Sequence, residues 1–287
     1  MCRNWWWKNA IFVNNFLGGI AQRCLEHSWY LCCDMQLFIL SLLVIIPLLK
    51  NKTITGICVN IAFILASVIS IALVTHYKDF PPVQLLINPD LSQQAEFAQK
   101  LYFLPYTHLG PFAIGLLLGY VYWKNPQLKF TKNIKVLGWP LAFGFNMAVV
   151  YGVYPWNNGA EQSRPVVILY AATHRIVWTL GVAWVTMVCI TGQGGIINKI
   201  LSWKCLIPLS RVTLEVYLLH PLLQWLYMAS LHDRIYASHY SAFYIYISHL
   251  VIVYVIAIVC CLAFDTPFYH LEKFILIRKF KKKEETN

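Results

Sequence analysis

The sequence predicts an all-α, polytopic transmembrane helical bundle of about seven spans. Apolar residues fill 59% of the 287 positions and charged residues only 12%. The apolar residues also gather into seven runs, each long enough to cross a bilayer or nearly so. A soluble globule of this composition would lack polar surface, and a membrane β-barrel would show short alternating segments instead. Several runs hold ionisable residues, which are costly in a bilayer and are the first candidates for function.

The predicted spans run Leu31 to Leu49, Ile54 to Thr75, Leu109 to Trp123, Val136 to Tyr154, Val166 to Ile190, Cys205 to Ala229 and Ala242 to Phe264. Asp34 opens the first and Asp265 closes the last, where carboxylates reach interfacial water. A hydrocarbon core ~30 Å thick needs about twenty helical residues, so the short third run borrows from Tyr106 to His108 and beyond Trp123. Its Gly110, Gly115 and Gly119 give small surfaces for close helix contact. Trp156 follows the fourth run, Trp203 precedes the sixth, and Tyr227 and Tyr240 flank the loop after it, all as interfacial anchors. Gly192, Gly194 and Gly195 after the fifth run form a turn, since no strand precedes them as a phosphate loop requires.

Lysines and arginines fix the expected orientation. One set of alternate loops, with the tail, holds Lys50, Lys52, Lys124, Lys129, Lys132, Lys135, Lys199, Lys204, Lys273, Arg278, Lys279, Lys281, Lys282 and Lys283. The other set holds half as many: Arg3, Lys8, Arg23, Lys78, Lys100, Arg164 and Arg234. The positive-inside rule then puts the N-terminus outside and the C-terminus in the cytosol. Residues 1–30 read as an extracytoplasmic segment, 31–264 as the bundle and 265–287 as a basic cytosolic tail drawn to anionic lipid. The net charge of +11 follows from this topology, so nucleic acid is not an expected partner. The expected location is the plasma membrane or an endomembrane.

An exported N-terminal segment without the apolar core of a signal peptide leads to the expectation that spans or a signal lie upstream, and that this chain is the C-terminal part of a longer protein. Cys2 and Cys24 fall in that outer segment, where an oxidising compartment permits a disulfide. No cysteine spacing resembles a zinc site, so no metal is expected.

The sixth run carries the most chemistry. Ser210, Thr213, Tyr217, His220 and Gln224 are spaced three, four, three and four apart, which puts five hydrogen-bonding side chains on one helical stripe. Arg211 and Glu215, four apart on the roughly opposite face, are expected to pair. Pro221 removes a backbone donor, so a kink and a local polar cavity are expected there. His174 and Arg175 lie about nine residues into the fifth run, on the order of 13 Å deep, a depth that His220 matches. One reading makes His220 or His174 a proton carrier and Arg175 the holder of an anionic or oxyanion-like group. The other makes them inter-helical hydrogen-bonding glue. A seven-helix receptor would need an acidic-Arg-aromatic triplet after its third span, where this chain has Tyr122-Trp123-Lys124.

Ordered blocks carry a family resemblance. They are Trp6-Trp7, Asn14-Asn15-Phe16, Cys24, Trp29-Tyr30-Leu31 and Asp34-Met35-Gln36, then Pro105-Tyr106-Thr107, Gly110-Pro111, Gly115 and Gly119-Tyr120. After these come Arg175, Trp178, Trp184, Cys189, Gly192, Gly194-Gly195, Leu201-Ser202-Trp203, Pro208-Leu209-Ser210-Arg211, Thr213, Tyr217, His220-Pro221, Pro267 and Leu271-Glu272-Lys273. From Cys2 to about Phe274 the chain resembles the nose-resistant-to-fluoxetine branch of the membrane acyltransferase type 3 family.

The resemblance implies transfer of an acyl group from an acyl-CoA donor to a hydroxyl of a lipid, sugar or small molecule, and the animal branch is associated with lipid and drug handling in epithelia. The family's catalytic histidine belongs to a first span that these residues do not include. That leaves His220, His174 and Arg175 as supporting catalytic candidates, with His108, Ser210, Thr213, Tyr217 and Gln224 as substrate contacts. His108 stands where the family has Arg, and Glu215 where a small residue is usual. The alternative function is a lipid or small-molecule carrier, or a non-catalytic membrane scaffold, whose polar layer lines a passage.

Overall fold

A computed structural model describes residues 2–17, 23–85, 90–161, 163–233, 236 and 238–284, the stretch 276–284 by its backbone alone. Among the described residues every regular element is helical. The chain divides into two compact units, Met1–Lys199 and Ile200–Asn287.

The first unit opens with two single-turn helices, α1 (Cys2–Trp5) and α2 (Trp7–Ala10), tied back by a Cys2–Cys24 disulfide. A 3₁₀ turn at Glu26–Ser28 leads into α3 (Trp29–Leu49), and α4 (Thr53–Tyr77) returns antiparallel to it. At 25 residues and 1.5 Å per residue, α4 is longer than the bilayer core. A short α5 (Leu91–Phe97), capped by Asp90 accepting from Ser92 N at 2.8 Å, continues through a π-helical turn at Ala98–Tyr102. Leu104 is extended before Pro105, as the residue preceding proline prefers, and Pro105 then opens α6 (Pro105–Lys124) at a position where its missing N–H is no loss. Next come α7 (Lys132–Gly152), a turn of α8 (Tyr154–Asn157) and α9 (Arg164–Ile190).

Helix α4 is central, packing on α3, α6 and α9, while α7 packs on α9. Its buried face is small and polar, with Asn60, Ser67 and Thr75 all inaccessible. Asn60 Nδ2 donates to Ala113 O at 3.1 Å and Ser67 Oγ to Tyr106 O at 2.7 Å. Such bonds hold helices together where lipid offers no hydrophobic drive between them. Gly110 makes the α4–α6–α9 approach possible, since a Cβ there would lie 2.6 Å from Ile176 Cδ1.

An apolar cluster of Ile71, Phe80, Phe97, Leu101 and Ala171 closes one end of this unit. Arg164 ties the same end, donating to Phe80 O at 2.8 Å and to Thr75 O, with Asp79 3.2 Å away. Beside it, buried Asn15 donates to Gln36 Oε1, Cys33 Sγ and Phe103 O. Arg23 Nη2 donates to Asn15 O, and the guanidinium lies 4.5 Å from the Phe103 ring centroid. Burial pushes the Arg23 guanidinium below its ordinary value, against the opposing pull of Glu26.

The second unit contains α11 (Leu206–Arg211), α12 (Thr213–Ser230), α13 (His239–Cys260), a π-helical turn at Cys261–Asp265 and α14 (Thr266–Glu284). Helix α10 (Gly195–Leu201) precedes them. Helices α12 and α13 pack together, with Tyr227 edge-on to His249 at 4.9 Å.

One predicted span needs correction. Among the described residues five helices are long and apolar enough to cross a membrane: Glu26–Leu49, Thr53–Tyr77, Lys132–Asn157, Arg164–Ile190 and His239–Ile275. Leu91–Tyr102 with Pro105–Lys124, bent by 44°, makes a sixth if the pair is one span. The predicted run Cys205–Ala229 is instead two helices separated at Val212. Ser210 Oγ turns to Ile207 O and Thr213 Oγ1 to Ser210 O, and such back-bonding competes with a continuous ladder. Of the predicted tail, the backbone is helical through Glu284, whereas its lysine side chains beyond 275 lie outside the described residues, as do Met1 and Arg234.

Candidate functional site: a cationic polar layer in the first unit

Helix α9 carries His174 and Arg175 as adjacent residues, so they diverge by about 100° around the helix and meet different neighbours. His174 Nδ1 lies 2.9 Å from Tyr170 O, and its ring stacks on Tyr170 at 5.2 Å and 5°. A carbonyl can only accept, so Nδ1 carries a proton and Nε2 faces away from that bond. Arg175 faces α6 and the π-turn before it, within electrostatic reach of Tyr102, Tyr106, His108 and His174. Its Nη1 is buried and without a hydrogen-bond partner, and no carboxylate is among those neighbours.

His108 completes the layer. Its Nε2 lies 2.8 Å from Tyr102 O and therefore donates. The ring is stacked on Trp29, which also contacts Tyr102 and Phe103 at centroid distances of 4.9 and 5.3 Å. The carbonyl of Phe103 is in turn held by Asn15 and Cys33. The segment 102–108 is thus anchored on both sides, and His108 and Tyr106 are fixed relative to one another.

Chemically the layer is a guanidinium with one unpartnered nitrogen, two imidazoles and three phenols, those of Tyr102, Tyr106 and Tyr170. An unpaired cation inside a membrane helix is costly, and an anion or a developing oxyanion beside it removes the deficit. Trp29, Tyr102 and Tyr170 are absent from the sequence-derived site. Tyr170 was within reach of the helical spacing, being four residues before His174, while Trp29 has no local signal linking it to position 108.

The remaining sequence-derived residues belong to the second unit. Thr213, Tyr217, His220 and Gln224 do share α12, which continues through Pro221 as one element. Ser210 falls on α11, so the five-residue stripe is interrupted. His220 Nδ1 lies 3.2 Å from Val216 O, and its ring is 5.9 Å from that of Tyr217. Arg211 and Glu215 form no ion pair, because the break at Val212 removes the shared helix that their spacing required. Glu215 lies instead beside the π-turn, with its carboxylate, the Cys261 thiol and the Asp265 carboxylate within 4.8 Å of one another. Glu215 Oε2 is buried and unbonded.

Comparison with known proteins gives the family. The acyltransferase domain model matches residues 3–266. Nose resistant to fluoxetine protein 6 of Caenorhabditis elegans is 29% identical over 293 residues, covering 97% of this chain and 35% of that protein. Regulator of hypoxia-inducible factor 1 of the same nematode is 30% identical over 153 residues, covering 49% of this chain and 30% of that protein. The chain thus spans about a third of the length of these relatives. No solved structure matches. With the ordered blocks from Trp6-Trp7 through His220-Pro221 inside that match, the chain belongs to the acyltransferase type 3 family, in its nose-resistant-to-fluoxetine branch.

Proposed function

We propose that this chain forms the C-terminal part of a membrane domain that moves an acyl group, with acyl-CoA as donor, onto a hydroxyl of a lipid, sugar or small molecule. The observation that carries the reading is Arg175 Nη1, buried and unpartnered between His108, His174 and Tyr106. Acyl transfer to a hydroxyl develops negative charge on the carbonyl oxygen and requires a base for the hydroxyl proton. Arg175 meets the first need, and the imidazoles of His174 and His108 support the second. His220 keeps a supporting role from the second unit, with Ser210, Thr213, Tyr217 and Gln224 as substrate contacts. The principal base is assigned to the histidine that the family resemblance places upstream of these residues.

In this reading the N-terminus is outside and the C-terminus cytosolic, α11 and α12 together supply the seventh crossing, and the protein is multi-pass in the plasma membrane or an endomembrane. The Cys2–Cys24 bridge supports the orientation, because disulfides persist in oxidising compartments.

The test is transfer of a radiolabelled acyl group from acyl-CoA by the natural protein in native membranes. Arg175→Ala and His220→Ala should each lose at least tenfold in rate at unchanged protein level. Wild-type transfer by both variants would sink the proposal. Accumulation of a small molecule in vesicles without acylated product would replace it with the carrier reading.

A further inference from the structure

Between α3 and α6 lies a groove of about 280 Å³ that the acyl-transfer reading does not use. Its walls are Val44, Leu48 and Leu116, its floor is Gly115 and Gly119, and Trp123 stands at one end. The two glycines lie four apart and therefore on one helix face. A Cβ built on either meets nothing within 4 Å, unlike Gly110, so the groove is space that the fold leaves open.

The end marked by Trp123 is polar and cationic. Tyr120 Oη lies 3.2 Å from Thr53 Oγ1. Lys124 Nζ stands 5.9 Å from the Trp123 ring centroid, and Lys50 and Lys52 follow directly on α3. All three lysines are exposed. Positions 35–78 and 97–160 contain no Asp or Glu, so the helices that build this end supply no counter-charge.

We propose that the groove is a binding site for an anionic glycerophospholipid, one acyl chain lying on Gly115 and Gly119 and the phosphate-bearing headgroup held by Lys50, Lys52 and Lys124. The volume is near the lower end of small-molecule pockets, ~300 Å³, and the lining is almost wholly apolar, which suits an acyl chain. An apolar trough ending in uncompensated lysines, a tryptophan and paired hydroxyls reproduces the order of the bilayer itself: hydrocarbon, interface, charge. Anionic lipids are concentrated in the cytosolic leaflet, where lysine near the surface gains from them. The leaflet rests on the orientation proposed above; the chemistry of the site does not.

The experiment uses the natural protein in phosphatidylcholine nanodiscs with phosphatidylserine or phosphatidylcholine probes carrying a diazirine in one acyl chain, and maps crosslinks by peptide mass spectrometry. The serine probe should label peptides holding Leu48 and Gly119 in preference to the choline probe. Gly119→Leu should abolish that labelling, while Gly119→Ala, whose methyl enters open space, should leave most of it and control for folding. Replacing Lys50, Lys52 or Lys124 by Gln should lower the serine preference about fivefold each, which corresponds to ~1 kcal/mol per cation near an anionic surface.

Equal labelling by both probes, insensitive to the lysines, would reduce the groove to ordinary annular lipid and overturn the proposal. Displacement by palmitoyl-CoA but not by phosphatidylserine would also overturn it, assigning the groove to a donor tail. A disulfide from Gly115→Cys into another protein helix would do the same by showing the face covered. The readout is labelling and not acyl transfer, so loss of transfer with labelling intact bears only on the function proposed above.

Discussion

The imidazole of His108 lies against the indole of Trp29, ring centroids 5.4 Å apart and 27° from parallel. This contact joins the first turn of α6 to the first turn of α3 and fixes which ring nitrogen of His108 donates to Tyr102 O. His108→Ala removes two aromatic contacts, with Trp29 and Tyr102, and one hydrogen bond, together about 1–3 kcal/mol. His108→Arg restores the residue expected of the family but sets a second cation near Arg175, within whose reach His108 lies. In thermal unfolding in nanodiscs the Arg variant should therefore be no more stable than the Ala variant. A gain in stability for His108→Arg would mean that an anion already sits between the two positions.

Asn15 joins the N-terminal segment to α3 and to the turn before α6. Its amide reaches Gln36, Cys33 and, 88 positions away, the carbonyl of Phe103. Replacing it with Leu leaves that buried carbonyl with only the weak Cys33 donor and should cost about 1–3 kcal/mol. Because Gln36 also donates to Phe12 O, Gln36→Leu alone should cost a similar amount. The double variant should cost less than the sum, since the two residues share one network. Strict additivity in a double-mutant cycle would show that the bond between them carries nothing.

How far the sequence disclosed this molecule follows from the range of each interaction. Helices α3, α4, α7, α9 and α13 were legible as apolar runs with charges at their ends, and the extension of α6 back toward Tyr106 followed from bilayer thickness alone. The break at Val212 was not legible, because Leu206, Ile207, Leu209, Val212 and Leu214 keep the run apolar while Ser210 and Thr213 divert their hydroxyls to nearby carbonyls. His174 and Arg175 were visible as ionisable residues deep in a span. Their aromatic surroundings were not, since Trp29 and Tyr102 reach the layer through tertiary contacts with no periodic signal. The Arg211–Glu215 pair shows the hazard in reverse, for a spacing argument holds only while both residues stay on one helix.

Two glycines on one helix should respond oppositely to an added side chain. At Gly110 an added Cβ would lie 2.6 Å from Ile176 Cδ1 and 3.2 Å from Ser67 Oγ, so Gly110→Val overpacks the α4–α6–α9 contact and should cost about 1–3 kcal/mol. At Gly119 nothing lies within 4 Å, and Gly119→Ala should be neutral or gain about 1 kcal/mol through helix propensity. Unfolding midpoints that fall equally for both would contradict the packing described for α6.

The Cys2–Cys24 bridge closes a loop with a sequence separation of 22, for which loop-closure entropy predicts about 3 kcal/mol of stabilisation. Cys24→Ser should lower the unfolding midpoint, and reductant should do so in wild type but not in the variant. Alkylation followed by mass spectrometry should leave Cys2 and Cys24 unlabelled until reduction. Labelling of either in protein taken from native membranes would overturn both the bridge and the support it gives to an outside N-terminus.

Glu215 is the residue whose removal should help. Its Oε2 is buried without a partner, the expected Arg211 is not there to neutralise it, and the nearest groups are a thiol and a second carboxylate. If α11 and α12 make the crossing proposed above, a carboxylate there costs about 2.5–3.5 kcal/mol on insertion scales, and part of that is recovered when a small residue takes its place. Glu215→Ala should therefore raise the unfolding midpoint, while Asp265→Ala, which leaves Glu215 with one fewer like charge, should raise it less. If Glu215→Ala is instead strongly destabilising, by more than about 2 kcal/mol, the carboxylate has a partner and is retained for it. Repeating the measurement in excess chelator then separates a bound cation, whose loss would erase the difference between wild type and variant, from a protein group, whose contribution chelation leaves unchanged.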